Sequence, residues 1–281
     1  MLSGIPIPKY AVRPSETVLV NITPQETRVA VLEENNICEL HIERNSGHSL
    51  VGNIYLGVVK RVLPGMQSAF IDIGLERAAF LHIVDVLEQR RNPDETQRIE
   101  HMLFEGQSVL VQVIKDPINT KGARLSTQIS LAGRFLVHLP QEDHIGISQR
   151  IEDDAERSSL RERLNNLLPE NACHGYIIRT NAENASDAQL QSDINYLTKV
   201  WEHIQKQAKI QPPETLLYQD LPLSLRVLRD MFSLDTHKIL VDSTENHRRM
   251  TQFAEQYVQG ALGKIELFKG ERPLFETHNI E

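Results

Sequence analysis

Five short segments between residues 53 and 130 constrain the fold of this chain most, because each is rich in apolar and β-branched residues and ends in turn residues. They read NIYLGVVKRVL, QSAFIDIG, RAAFLHI, QSVLVQVIKD and ARLSTQIS, and one polar stretch, 88–100, lies between the third and the fourth. About 80 residues with five strands and one longer connection are typical of a small Greek-key barrel of the OB type. We therefore predict an OB-fold β-barrel here.

The two ends of the chain predict a separate α/β domain. ETVLVNIT, ETRVAVLEE and ICELHIERN, within 16–45, have the composition of three strands in an antiparallel meander. After residue 220, helix and strand patterns alternate, with LPLSLRVLRDMF and TENHRRMTQFAEQYV as helices and HKILVDS and GKIELFKG as strands. Because insertions are tolerated at surface turns, we predict one discontinuous α/β domain that carries the barrel as an insertion.

The segment between barrel and final part predicts two helices with a strand between them. DDAERSSLRERLNNLL is a polar helix, and HGYIIRTNAENAS contains an apolar strand. A second helix over 187–208 places Asp187 near its start, where it can cap the helix or favour its dipole. Its apolar stripe recurs at three- and four-residue steps: Leu190, Ile194, Leu197, Trp201 and Ile204.

The composition excludes some classes of function. A formal net charge of −8 argues against a protein that wraps duplex DNA non-specifically. It leaves RNA binding in a local groove open, because screening confines charge effects to about 8–10 Å. No apolar run reaches the roughly eighteen residues of a membrane span, and the start lacks a secretory signal. We predict a cytoplasmic protein without membrane contact.

No residue pattern predicts a catalytic or metal site. The common phosphate-binding, metalloprotease and nucleophile motifs are absent, and the histidines are scattered. Asp72 lacks an evident partner for a magnesium ion, so we interpret it as a turn or capping residue. The acidic run 152–154 suits the positive end of a helix. Cys38 and Cys173 lie in apolar contexts outside any metal-ligand spacing, which predicts buried, reduced thiols.

Two phenylalanines in SAFIDIGLERAAFLHI allow two interpretations. On a period of two, Phe70 shares a face with Asp72 and Phe80 shares a face with His82, while aliphatic residues form the opposite faces. The rings are either core filler or a platform on which unpaired bases stack, and the alternation leaves both open. Three nearby cations are candidates for phosphate contacts: Lys60, Arg61 and Lys121.

The end of the apolar strand in HGYIIRTNAENAS is a second candidate site. A guanidinium fork at Arg179 beside the hydroxyl of Thr180 suits a terminal phosphate. Backbone N–H groups in a polar turn add to such a site. An ordinary surface turn is the alternative.

Several ordered motifs together resemble the ribonuclease E/G family of bacterial endoribonucleases. They are GNIYLGVVKRVLPGMQSAFIDIGLERAAFLHI, DPINTKGARLSTQISLAGRFLVHLP, GISQRIE, IIRT and RVLRDMF. The resemblance extends from about Glu16 to the end of the chain. It implies an α/β protein whose RNase H-like subdomain is split, over 1–46 and 220–281. Between the two parts it implies an S-one-type OB-fold RNA-binding domain over 47–131 and a 5′-sensor region over 132–219.

The resemblance also implies two groups of site residues. The residues that contact RNA on the OB-fold would be Phe70, Phe80, His82 and Lys121. The pocket for an RNA 5′-monophosphate would consist of Gly133, Val137, Arg179 and Thr180. Asn181 departs from the family, which has a small residue directly after the Arg-Thr pair, so the rim of the pocket is expected to differ.

The chemistry implied by the resemblance is magnesium-dependent hydrolysis of single-stranded, A/U-rich RNA in rRNA maturation and mRNA decay. The family's two magnesium-binding aspartates and its Cys-Pro-x-Cys zinc link belong to segments expected after Glu281. We therefore expect no catalytic or metal residues in this chain, and RNA binding without cleavage. A stand-alone, non-catalytic RNA-binding regulator is the alternative. Family members assemble as homodimers or higher oligomers, which the resemblance implies here.

Overall fold

The structure is a computed structural model and describes residues 16–44, 49–86, 98–169, 175–232 and 235–280. Its strands, in chain order, are β1 (Glu16–Ile22), β2 (Glu26–Glu33), β3 (Asn36–Arg44), β4 (Ile54–Leu63), β5 (Ser68–Asp72), β6 (Ala79–His82), β7 (Ser108–Lys115), β8 (Arg124–Ser126), β9 (Leu131–Ala132), β10 (Leu136–Leu139), β11 (Ile145–Ile147), β12 (Gly175–Ile178), β13 (Thr215–Tyr218), β14 (Thr236–Val241) and β15 (Ile265–Leu267). Its α-helices are α1 (Ile99–Met102), α2 (Asp154–Leu167), α3 (Asp187–Ile210), α4 (Leu223–Arg226), α5 (Thr244–Tyr257) and α6 (Leu274–Thr277).

The described residues separate into two compact units. One unit joins residues from 1–48 with residues from 221–281, and the other comprises 49–220. The protein is therefore a mixed α/β chain in which the second unit is continuous in sequence and the first is not.

The first unit contains a five-stranded sheet in the order β15-β14-β1-β2-β3. The first three strands pair antiparallel, as their turn residues predict, whereas β14 pairs parallel with β1 and β15 parallel with β14. Alternate residues of β1 point to opposite faces: Val18 and Val20 contact the apolar side chains of α4 and α5, and Leu19 packs with those of α6. The sheet thus has two apolar faces, which suits parallel pairing.

The prediction that Cys38 is buried is wrong. Its thiol is exposed, because β3 is the edge strand of this sheet and every residue from Asn36 to Leu40 is exposed. The apolar context of Cys38 therefore does not mark a core position. Cys173 lies outside the described residues.

The second unit begins with a closed five-stranded barrel. Its strands pair in the cyclic order β4-β5-β6-β8-β7, and antiparallel pairing of β4 with β7 closes the cylinder. Inward-facing side chains form one core, in which Ala69, Ile71, Ala79, Leu81 and Leu125 have no exposed surface. The closed barrel agrees with the OB-like fold predicted from the five segments.

A smaller mixed sheet follows the barrel, in the order β11-β12-β10-β9. The sequence predicted only β12 of these strands. The apolar stripe of α3 packs on this sheet together with α2, and the predicted stripe residues Leu190, Ile194 and Leu197 are buried. Ser186, rather than Asp187, caps α3: its side chain accepts the N–H of Gln189, in a capping box.

We expect Ile71→Ala to lower the free energy of unfolding by about 2–5 kcal/mol, because it leaves a cavity in the barrel core. Ile118→Ala is the control, since Ile118 is 62% exposed in the loop between β7 and β8, and it should cost less than about 0.5 kcal/mol. Urea unfolding followed by the fluorescence of Trp201, the one tryptophan of the chain, measures both. Equal losses would show that Ile71 is not a core residue of the barrel.

Candidate functional site

Phe70 and Phe80 form a pair of rings on the outer face of the barrel. They are directly opposite each other on the antiparallel strands β5 and β6. Their ring centroids are 6.2 Å apart and their planes form an angle of 64°, an edge-to-face arrangement. Phe70 is 36% exposed and Phe80 is half-buried, whereas their neighbours Ala69 and Leu81 are fully buried. The alternation is thus confirmed, and the two rings are not part of the barrel core. We call this pair the aromatic face.

His82 extends the aromatic face along β6. Its ring centroid lies 6.3 Å from that of Phe80, and its Nδ1 accepts the N–H of Val84 at 3.3 Å. That hydrogen bond fixes the orientation of the imidazole beside the phenyl ring. Three flat side chains therefore follow one another on the outer face, at spacings usual for aromatic contacts.

The loop that carries Lys121 lies against the start of β6, the strand of Phe80. The loop from β7 to β8 approaches the start of β6 so closely that a Cβ at Gly122 would collide with the carbonyl oxygen of Ala78. The N–H of Phe80 also donates to the carbonyl of Ala123 at 2.7 Å. Lys121 is exposed on this loop, and the guanidinium of Arg77 donates to the carbonyl of Asn119 in the same loop.

Two further cations border the aromatic face. Arg61 is exposed and lies opposite Phe70 on β4, while Arg124 on β8 lies beside Phe80. The guanidinium of Arg124 pairs with the buried carboxylate of Asp85 at 2.8 and 2.9 Å. Arg61 and Lys121 thus supply positive charge on either side of the rings.

Lys60, in contrast, is paired within the protein. Its ammonium lies 2.8 Å from Glu214 and 3.2 Å from Asp72, and hydrogen bonds to these carboxylates raise the pKa of Lys60. Because two carboxylates of the protein already bind this ammonium, the structure does not support the suggested role of Lys60 as a phosphate contact. Asp72 also accepts the N–H of Gly74 at 2.9 Å, which confirms the turn role predicted for it.

The second candidate site lies at the end of β12. Arg179 donates its N–H to the carbonyl of Phe135 at 2.8 Å, and its guanidinium donates to the carbonyl of Gly133. Val137 pairs with Ile177, two residues before Arg179. The structure thus brings Arg179 close to Gly133, which lies 46 residues before it, and places Val137 on the neighbouring strand.

Thr180 begins a 3-10 turn, Thr180–Ala182, directly after Arg179. Its hydroxyl lies 3.4 Å from that of Ser148, in the segment after β11. Both residues are half-buried, and Asn181 beside them is exposed. The effect of Asn181 on the rim of the pocket stays a prediction from the resemblance.

Asp193 is a residue of this second site that the sequence reasoning missed. It lies on α3, and its carboxylate accepts the backbone N–H groups of Arg134, Phe135 and Leu136 at 3.0, 2.8 and 2.9 Å. Burial raises the pKa of Asp193, against the opposing effects of these three hydrogen bonds and of Arg179.

A sequence signal for Asp193 does exist. It lies within the apolar stripe of α3, three residues after Leu190 and one before Ile194, where a charged residue is uncommon. A carboxylate at such a position needs hydrogen-bond donors, because an unpaired buried charge is costly. The stripe alone does not indicate which segment supplies them.

The described ranges contain no group of three or more His, Cys, Asp or Glu residues placed to hold a metal ion. Within the same ranges, no helix combines the length and the apolar composition that a membrane span requires.

The chain is similar to known ribonucleases. A model of the ribonuclease E/G family matches residues 130–281. The chain is 41% identical to ribonuclease G of Escherichia coli strain K12 over 271 residues, which cover 94% of this chain and 55% of that protein. It is 40% identical to ribonuclease G of Haemophilus influenzae with the same coverage, and 38% identical to ribonuclease E of Nostoc over 92% of this chain and 38% of that protein. The chain thus spans about half the length of its ribonuclease G relatives and a smaller share of the length of ribonuclease E.

Proposed function

Since the chain belongs to the ribonuclease E/G family, we propose that it binds single-stranded RNA on the outer face of its barrel and recognises a 5′-monophosphate near Arg179. The observation that carries the proposal is the aromatic face, in which Phe70 and Phe80 lie opposite each other and partly open to solvent. In a full-length ribonuclease of this family, called the parent protein below, the part that corresponds to this chain would hold RNA for cleavage.

Stacking explains why the partner would be single-stranded. An exposed phenyl ring contacts the flat face of a base, and in a duplex that face is covered by the neighbouring base pairs. Lys121 and Arg61 border the rings, where they can contact the phosphates between stacked bases. A net charge of −8 does not oppose this, because screening makes the local cations dominate within about 8–10 Å.

The proposed 5′-phosphate pocket consists of Gly133, Val137, Arg179 and Thr180. The contacts of Arg179 with the 133–136 loop hold its guanidinium at the end of β12. The hydroxyl of Thr180 adds a short hydrogen-bonding group beside it. A planar guanidinium and a hydroxyl in fixed positions suit a terminal phosphate, which has more charge and more free oxygens than an internal one.

Magnesium-dependent cleavage of A/U-rich RNA, in rRNA maturation and mRNA decay, is proposed for the parent protein only. Within the described ranges no group of three or more His, Cys, Asp or Glu side chains is placed to hold a metal ion, and the position of the magnesium ligands stays a prediction from the resemblance. The zinc link, the cytoplasmic location and assembly as a homodimer or higher oligomer stay predictions from the sequence.

We expect Phe70→Ala and Phe80→Ala each to weaken binding of an unstructured RNA by about 1–3 kcal/mol, or roughly 5- to 150-fold, through loss of stacking. Fluorescence anisotropy with a 5′-hydroxyl RNA measures this without involving the phosphate pocket. Phe104→Ala is the control, because Phe104 is 67% exposed elsewhere on the same unit. If all three variants bind equally well, the aromatic face is not the binding surface.

The same RNA with a 5′-monophosphate should bind more tightly than its 5′-hydroxyl form. We expect a dissociation constant lower by about tenfold or more, because the phosphate accepts charge-assisted hydrogen bonds. Arg179→Ala should remove this preference and leave binding of the 5′-hydroxyl RNA nearly unchanged. Arg161→Ala, which removes an exposed arginine of α2, should keep the preference. A preference that survives Arg179→Ala would contradict the phosphate assignment.

The chain on its own should bind RNA without cutting it. Incubation of the purified 281-residue protein with 5′-monophosphorylated RNA and magnesium, followed by denaturing gel electrophoresis, tests this expectation. Magnesium-dependent products that disappear in Phe70→Ala would show that the chain is itself a nuclease.

A further inference from the structure

We propose that Asp193 is the positioning residue of the 5′-phosphate pocket: its buried carboxylate holds the 133–136 loop in the conformation that places Gly133 and Arg179. The inference rests on the proposed function, since it concerns the same pocket. It assigns a role to a helix residue that would not itself contact the RNA.

Three consecutive backbone amides donate hydrogen bonds to the carboxylate of Asp193. The N–H of Arg134 donates to Oδ1 of Asp193, and those of Phe135 and Leu136 donate to Oδ2. Successive amides that converge on one point form an anion-binding nest. In this protein the nest is occupied by a carboxylate of the chain itself, so these three donors fix the loop and are not directed at a ligand.

Gly133 shows how closely the loop fits Asp193. A Cβ at this position would lie 2.5 and 2.6 Å from the two carboxylate oxygens, well inside contact distance. The absence of a side chain at Gly133 is thus required by Asp193, independently of any phosphate. The carbonyl of Gly133 in turn accepts from the guanidinium of Arg179, and the carbonyl of Phe135 accepts from the N–H of Arg179.

A continuous set of contacts therefore leads from α3 to the phosphate-binding side chain. Asp193 fixes the loop amides, and two carbonyls of that loop fix Arg179. The positive charge of Arg179, directly after β12, acts on Asp193, whereas Tyr176 of β12 is a neutral phenol whose pKa is raised by burial and by the charge of Asp193. The negative charge of Asp193 is unsuited to direct contact with a phosphate, which is consistent with a role in positioning. Burial of a carboxylate costs free energy, and its three hydrogen bonds from the loop explain why Asp193 is buried here.

Asp193→Asn tests the inference. Asparagine keeps the volume but replaces one acceptor oxygen with an NH2 group, which faces an amide donor of the loop. We expect the ratio of the dissociation constants for 5′-hydroxyl and 5′-monophosphate RNA to fall by about tenfold, toward one. Affinity for 5′-hydroxyl RNA should stay within about twofold, because the aromatic face is unchanged. Asp187→Asn is the matched control: Asp187 is an exposed carboxylate at the start of the same helix that pairs with Arg163, and its removal should keep the ratio.

The outcomes separate the two proposals. A wild-type chain without any 5′-monophosphate preference overturns the proposed pocket and this inference with it. A wild-type preference that Asp193→Asn retains overturns this inference alone. Loss of the preference in Asp187→Asn as well would show a general effect of α3 and would also overturn it.

A measurement on the wild-type chain decides the matter if Asp193→Asn does not fold. Because burial raises the pKa of Asp193, its carboxylate protonates at a higher pH than an ordinary aspartate as the pH falls. The backbone amide resonances of Arg134, Phe135 and Leu136 should then shift together, with one midpoint. The 5′-monophosphate preference should be lost over the same range, while the 31P resonance of the RNA follows ionisation of the phosphate separately. A preference that follows the phosphate alone would refute the role of Asp193.

Discussion

Closure of the barrel by the pairing of β4 with β7 is the constraint on which the proposed RNA surface depends. In a closed cylinder each strand residue faces either the core or the outside, and a shift of one residue would exchange the two sets. The core takes Ala69, Ile71, Ala79 and Leu81, which places Phe70 and Phe80 on the outside. The aromatic face is therefore a consequence of how the core is filled.

The second site depends on a contact of a different kind. The 133–136 loop runs from the end of β9 into β10 and has a backbone hydrogen bond of its own, from the N–H of Gly133 to the carbonyl of Leu136 at 2.8 Å. A carboxylate from α3 supplies acceptors for three of its amides, so a helix that packs on the sheet also determines the shape of the loop. The two candidate sites lie in the same unit but depend on different interactions: the aromatic face depends on apolar packing, and the proposed phosphate pocket depends on a buried carboxylate.

Local patterns predicted much of this architecture. The three strands β1, β2 and β3, the five barrel strands and the stripe of α3 all follow from periodicity and turn residues, because each residue's environment repeats along its own element. The same alternation grouped Phe70 with Asp72 and Phe80 with His82, and it left core filling and stacking open as two interpretations. The structure places both rings outside the barrel core, and stacking stays a proposal that the resemblance favours.

Other features depend on contacts between distant residues, which periodicity cannot reveal. Lys60 is paired with Glu214, 154 positions away, and Asp193 binds a loop about 58 positions before it. Cys38 was wrongly predicted to be buried, because its apolar neighbours belong to an edge strand. The short strands β9, β10 and β11 were missed, since segments of two to four residues have too few positions to show a period.

The central claim is that RNA stacks on the outer face of the barrel. Photo-crosslinking with an oligonucleotide that contains 5-iodouridine tests it most directly, because this base reacts preferentially with aromatic side chains on which it lies. Mass spectrometry of the digested complex should place the main crosslinks on Phe70, Phe80 or His82. Main crosslinks on exposed residues of the other unit, such as those of β3, with none in Ser68–Ile83, would contradict the account.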